Sequence, residues 1–165
     1  MLFRSRLVYG GGRVGLMGIV ADTVLAAGGE VIGVIPRALA TKEVAHDALT
    51  ELRVVASMHE RKALMAELAD GFVALPGGFG TFDELLEIVT WAQLGLHAKP
   101  IGILDVAGYF DAFSALVEGA IAEEFVRPEY RKLFVVGDEP RALLARLETH
   151  VPPAGVVKWI GLDET

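Results

Sequence analysis

A chain of 165 residues, 53% hydrophobic and 22% charged with a formal net charge of −7, can bury a core and is too apolar for intrinsic disorder. It has no cysteine, which excludes a disulfide framework, thiolate metal sites and a cysteine nucleophile and fits a reducing, cytoplasmic compartment. No run approaches the roughly 18 to 20 apolar residues of a spanning helix, residues 1–6 carry no apolar signal region, and no basic stripe offsets the acidity, so neither membrane nor nucleic-acid polymer is an expected partner.

In chain order, β-branched apolar runs predict strands at 7–9, 30–35, 52–56, 72–75, 100–104 and 133–136. Helix-period segments fall between and after them at 14–27, 58–69, 82–94, 109–123 and 140–149. Residues 38–50 lack a clear period and read as a loop with a helical turn. After Pro152 and Pro153, residues 156–160 read as a last short strand or cap. The alternation predicts an α/β fold: a Rossmann-like doubly wound parallel sheet with helices on both faces, in a single domain spanning 1–165. Uncharged runs such as 71–82 suit strands covered on both sides.

Two glycine-rich loops follow predicted strands and open predicted helices. In the first, Gly10, Gly12 and Gly15 satisfy G-x-G-x-x-G, the dinucleotide fingerprint. That fingerprint also wants an acid at the end of the next strand to hold the ribose. Here that strand ends in Pro36-Arg37, and its only acid, Glu30, stands at the wrong end. Close approach of the loop, Gly11 and Gly12 included, to a phosphate or sugar stays open beside a tight turn with no ligand.

The second loop, Leu75-Pro76-Gly77-Gly78-Phe79-Gly80-Thr81-Phe82-Asp83-Glu84, opens an amphipathic helix. Converging N–H groups and the positive end of the helix suit an anion there. No Gly-Lys-Ser/Thr follows, so this is not a P-loop for phosphoryl transfer. Thr81 reads as helix cap or as a hydroxyl donor to phosphate. Asp83 and Glu84 read either as acids complementing the macrodipole in the first turn or, for Glu84, as a carboxylate aimed at a sugar or a water.

Ser57-Met58-His59-Glu60-Arg61-Lys62 carries the S-x-x-E of a capping box. Arg61 and Lys62 then sit near a helix start, where positive charge is unfavourable, which points to a compensating anion beside the alternative of solvated cations. His46, His59, His97 and His150 lack metal-ligand spacing, so no metal is expected. Ser5, Ser57 and Ser114 lie outside any G-x-S-x-G elbow. Trp91, on the helix after the second loop, reads as core.

Pro76-Gly77-Gly78-Phe79-Gly80-Thr81-Phe82-Asp83-Glu84 resembles the PGGxGTxxE motif of the lonely guy family, cytokinin riboside 5′-monophosphate phosphoribohydrolases once labelled lysine decarboxylases. Leu7 to Gly12, Gly15 to Gly18, Gly33 to Pro36, Met58 to Lys62 and Thr90 to Gly95 also resemble family segments, and the likeness runs from Leu7 to about Leu147. The resemblance implies hydrolysis of the N-glycosidic bond of an N6-substituted adenosine monophosphate, releasing base and ribose 5-phosphate without a cofactor. It places the catalytic residues at Arg61 and Glu84 and nucleotide contacts at Glu43, Lys62, Gly78, Phe79, Gly80, Thr81, Phe82, Asp83 and Thr90. Asp83 stands where many members carry Glu, which keeps the charge. Two roles are open to Arg61: holding the substrate, or steadying Glu84 as an anion. The family also implies a homodimer.

The decarboxylase label has no support in the residues: that chemistry needs pyridoxal phosphate on a lysine with an acidic partner, and Lys62 beside Arg61 makes no such pocket. Members of the family carry a strand, a Gly-Ser-Ser-type loop and a helix ahead of the segment equivalent to 7–9. Nothing here corresponds to that unit, so a gap or an exposed strand edge is expected in the sheet, open to pairing with another chain. A non-catalytic nucleotide- or cofactor-binding protein on the same scaffold is the alternative function. A dinucleotide-dependent oxidoreductase ranks last.

Overall fold

A computed structural model describes residues 6–40, 45–151 and 153. Glu43 and the strand expected at 156–160 lie outside the described residues. The chain packs into two compact units, Met1–Ala69 and Asp70–Thr165.

In the first unit, β1 (Arg6–Tyr9), β2 (Glu30–Pro36) and β3 (Glu51–Val55) form a parallel sheet in the order β1-β2-β3. Helices α1 (Leu16–Ala26), the single turn α2 (Arg37–Ala40) and α3 (Met58–Leu68) make the connections. Central β2 is buried from Val31 to Pro36, as its uncharged run requires. Val31 packs with Tyr9 and Ala21 at the heart of this core, flanked by Leu7, Val24, Leu25 and Leu49. The helical turn expected after β2 is α2; α1 begins two residues later than expected, at Leu16 behind Gly15.

In the second unit, β4 (Phe72–Ala74), β5 (Ile101–Leu104) and β6 (Val135–Gly137) repeat the pattern in the order β4-β5-β6, again parallel. Helices α4 (Phe79–Gln93), α5 (Asp111–Ala122) and α6 (Pro140–Glu148) accompany them. Ile101 and Ile103 point into a core with Leu85, Ala92, Phe110, Tyr130, Leu133 and Phe134. Gly102, on the opposite face, lies so close to α6 that a Cβ there would be 2.9 Å from Leu147 Cδ1. Both faces of β5 are therefore covered, the physical origin of the strand's wholly apolar sequence.

The expected α/β class with parallel strands is borne out. Among the boundaries that differ, three more stand out. Leu133 belongs to a 3-10 segment, Pro128–Leu133, rather than to β6; Pro128 suits the first position of that segment. The helix expected at 109–123 begins at Asp111 as α5, behind a 3-10 turn at Val106–Gly108 in which Ala107 and Gly108 both adopt positive φ. Helix α4 starts three residues early, with consequences for the site. Among the described residues β1 pairs with β2 alone and β4 with β5 alone, so each sheet keeps an open edge.

Candidate functional site

The first unit presents the β1–α1 glycine loop and the start of α3. Gly11 adopts φ +73°, and a Cβ on it would press Ile35 Cβ at 3.2 Å, so the turn demands glycine on both counts. Gly11 and Gly12 are buried. The Gly11 carbonyl accepts from the His46 N–H at 3.0 Å, and Gly12 bridges antiparallel to Ala45. His46, only 7% exposed, anchors this contact through its ring. Nδ1 accepts from the Ala48 N–H at 3.2 Å, leaving Nε2–H to donate to Asp22 Oδ1 on α1 at 2.9 Å. The loop is thus tied to the segment after α2 and to α1 by a buried imidazole.

Helix α3 starts as its sequence predicts. Ser57 is the N-cap, and its Oγ accepts from the Glu60 N–H at 3.1 Å. The Glu60 carboxylate reaches back one residue beyond the cap, accepting from the Ala56 N–H at 2.8 Å. Arg61 follows in the first turn and does not lie in solvent. It is half-buried, and its Nε–H donates to the Val34 carbonyl on β2 at 3.1 Å. Lys62 is half-buried, and His59 is exposed.

The second unit presents the β4–α4 loop. Gly78 is the N-cap of α4, so Thr81 is not a cap: it lies at the third helical position. Its own N–H turns inward to the Gly78 carbonyl at 3.0 Å, as does that of Phe82 at 3.2 Å. The Phe79 and Gly80 N–H groups precede any carbonyl the helix can offer them, and they head a dipole that no side chain caps. Gly77 is close-packed: a Cβ there would fall 2.2 Å from Thr81 Oγ1. The Gly77 carbonyl accepts from the Tyr109 hydroxyl, whose ring stacks on Phe82 at 6.5 Å between centroids. Tyr109 was invisible to sequence reading; the one available signal was the Ala107-Gly108 turn, which forces the chain to bend just ahead of it.

Because α4 begins at Phe79, Asp83 and Glu84 fall in its second turn, and no acid occupies the first. The macrodipole acts mainly within the first turn, so that explanation for the two carboxylates loses most of its force. Asp83 is exposed; Glu84 is half-buried, next to core residue Leu85. Thr90, seven residues after Asp83 and so on the same helical face, back-bonds through Oγ1 to the Leu86 carbonyl at 2.7 Å. Among the described residues no group of three His, Cys, Asp or Glu is placed to hold a metal ion, and no helix is long and apolar enough to cross a membrane. The two units thus offer a half-buried guanidinium beside a glycine loop, and a half-buried carboxylate beyond a helix start open to an anion.

Residues 17–147 match the family model described as "Possible lysine decarboxylase". The chain is 54% identical to the probable cytokinin riboside 5′-monophosphate phosphoribohydrolase LOGL9 of Oryza sativa subsp. japonica, over 88% of this chain and 64% of that protein. It is 49% identical to the cytokinin riboside 5′-monophosphate phosphoribohydrolase LOG of the same plant, over 88% of this chain and 60% of that protein. To LOG1 of Arabidopsis thaliana, which carries the same enzyme name, it is 47% identical over 88% of this chain and 68% of that protein. The chain thus spans less than two-thirds of the first two relatives. An identity near one-half over 146 residues, with the family model matched across residues 17–147, shows that the chain belongs to the lonely guy family of cytokinin riboside 5′-monophosphate phosphoribohydrolases.

Proposed function

We propose that the protein hydrolyses the N-glycosidic bond of nucleoside 5′-monophosphates bearing an N6-substituted adenine, releasing the free base and ribose 5-phosphate. The observation that carries this reading is the placement of Glu84: half-buried, in the second turn of a helix whose first N–H groups face outward without a side-chain cap. Glycosidic cleavage builds positive charge on the sugar as the base departs, and water then adds at the anomeric carbon. A carboxylate beside the ribose stabilises that charge and orients the water. The Phe79 and Gly80 N–H groups, with Gly78, Thr81, Phe82 and Asp83 around them, hold the 5′-phosphate, which fixes the anomeric carbon relative to Glu84. Arg61 and Lys62 supply cations to an anionic substrate, with Glu43 and Thr90 as further contacts. No cofactor takes part, and the enzyme works as a cytoplasmic homodimer.

Incubation with isopentenyladenosine 5′-monophosphate and with AMP, followed by chromatography for free base, tests this reading. Base release is expected from the wild type. Glu84→Gln should bind the nucleotide with its affinity largely intact and release no base. Tight binding by the wild type without release supports instead a non-catalytic nucleotide-binding protein on this scaffold. Unchanged turnover in Glu84→Gln removes Glu84 from the mechanism.

A further inference from the structure

The bareness of Gly10 in the first loop is answered by a side chain of the candidate site. A Cβ built on Gly10 would fall 1.9 Å from Arg61 Nη2, 3.0 Å from Cζ and 3.4 Å from Nε. The guanidinium therefore lies across the Cα of Gly10, in space that any other residue would fill. On its other flank Nε–H is held by the Val34 carbonyl at 3.1 Å. A planar group gripped at Nε and passed beneath a backbone has little freedom left, so the direction of its remaining N–H donors is set. Gly10 itself does not adopt positive φ, unlike Gly11 and Gly15, so its backbone does not call for glycine.

We propose that Gly10 is a positioning residue for Arg61: its missing side chain is the slot that, with the Val34 carbonyl, aims the guanidinium at the nucleotide. This rests on the reading of Arg61 as a catalytic residue. It also gives the first glycine of the G-x-G-x-x-G pattern a use unrelated to a dinucleotide. The clash from an added methyl involves the far end of a flexible side chain, so Arg61 yields and the backbone stays.

Gly10→Ala is the test, with two readouts. By nitrogen-15 NMR, the Arg61 Nε–H signal should exchange with water at least tenfold faster than in the wild type, while the melting temperature stays within a few degrees. In single-turnover assays with isopentenyladenosine 5′-monophosphate and excess enzyme, Gly10→Ala should slow base release at least tenfold. Lysine has no guanidinium to meet the added methyl, so introducing Gly10→Ala into Arg61→Lys should change the rate less than twofold. Wild-type Nε–H exchange in Gly10→Ala, or an equal loss of rate in the Arg61→Lys background, overturns the proposal. Full activity in Arg61→Ala overturns the catalytic reading of Arg61 instead, and the Nε–H exchange then decides the slot by itself.

Discussion

The Tyr109 hydroxyl donates to the Gly77 carbonyl, joining the turn after β5 to the loop that opens α4 across 32 residues of sequence. Gly77 and Gly78 are backbone with no side chains to anchor them, so their position depends on such outside contacts. The ring of Tyr109 adds a second hold by stacking on Phe82 and meeting Phe110 edge-on at 5.0 Å. Because Phe110 is part of the core, the loop is referenced to the buried interior of its unit.

Tyr109→Phe keeps the stacking and removes only the hydrogen bond. The expected cost is about 1 kcal/mol of stability, the usual net worth of such a bond. To the extent that this cost falls on the ordering of the loop, KM for the nucleotide rises, by up to about fivefold, with a smaller change in kcat. Chemical denaturation and steady-state kinetics on the same variant check both figures. An unchanged KM would confine Tyr109 to folding.

Ser57→Ala removes the acceptor that the Glu60 N–H uses at the start of α3. Loss of a side-chain cap costs about 1 kcal/mol. The Arg61 N–H bonds to the Ser57 carbonyl, which the substitution retains, so the first turn should survive. Urea denaturation should therefore show a lower midpoint with an unchanged slope. Ser57→Asp, which keeps an acceptor at the cap, should restore most of the loss.

The cap at Ser57 was legible because a capping box is local: donor and acceptor lie within one turn and the residue types declare it. The strands were legible for a similar reason, since β2 and β5 are buried on both faces and write that burial as unbroken apolar runs. The start of α4 was not. Gly78 and Gly80 are poor helix formers, so propensity argued for a loop through Thr81, while the structure wraps the helix around an uncapped glycine. Misplacing that start made Asp83 and Glu84 look like first-turn acids with an ordinary electrostatic purpose. The fit of Arg61 against Gly10, and the bond from Tyr109 to Gly77, escaped for another reason. Each joins residues far apart in the chain, and a glycine in sequence does not say whose side chain occupies the space beside it.

Tyr9 illustrates a polar atom that the fold leaves poorly served. Its side chain is 9% exposed, and among the described residues its hydroxyl has no hydrogen-bond partner. Burial, reinforced by the negative charge of Asp22, pushes the phenol up to about 12. In the unfolded chain it titrates near 10, so between these values the native state holds a proton that the unfolded state has lost. Stability is therefore fully expressed below pH 10 and declines as pH rises from 10 towards 12. Tyr9→Phe should remove that share of the alkaline decline. It should also raise stability at neutral pH by about 1 kcal/mol, because the desolvated hydroxyl is no longer buried. A loss of stability in Tyr9→Phe would show that the hydroxyl is satisfied after all.

His97 makes the opposite prediction on the acid side. Its ring packs edge-on to Phe72 at 5.3 Å between centroids, its Nε2–H donates to the Ile88 carbonyl at 2.9 Å, and Nδ1 accepts from the Lys99 N–H at 3.1 Å. Burial lowers its pKa below the ordinary value; the bond to Ile88 opposes this in part, and the charge of Lys99 adds to it. The neutral ring accepts at Nδ1, and a proton placed there would break the Lys99 contact. In the unfolded chain the imidazole titrates near 6.5, so below that pH the unfolded state binds a proton that the native state refuses. Stability from this residue is thus complete above about pH 6.5, falls as pH drops through that value, and levels off once the native imidazole is itself protonated. His97→Gln retains a donor for the Ile88 carbonyl and removes the titration. The variant should be less stable than the wild type at pH 8, where the bond to Lys99 is lost without compensation. Its melting temperature should then fall less steeply between pH 7 and pH 5, so the two curves converge. Parallel curves across that range would assign the acid sensitivity to other groups.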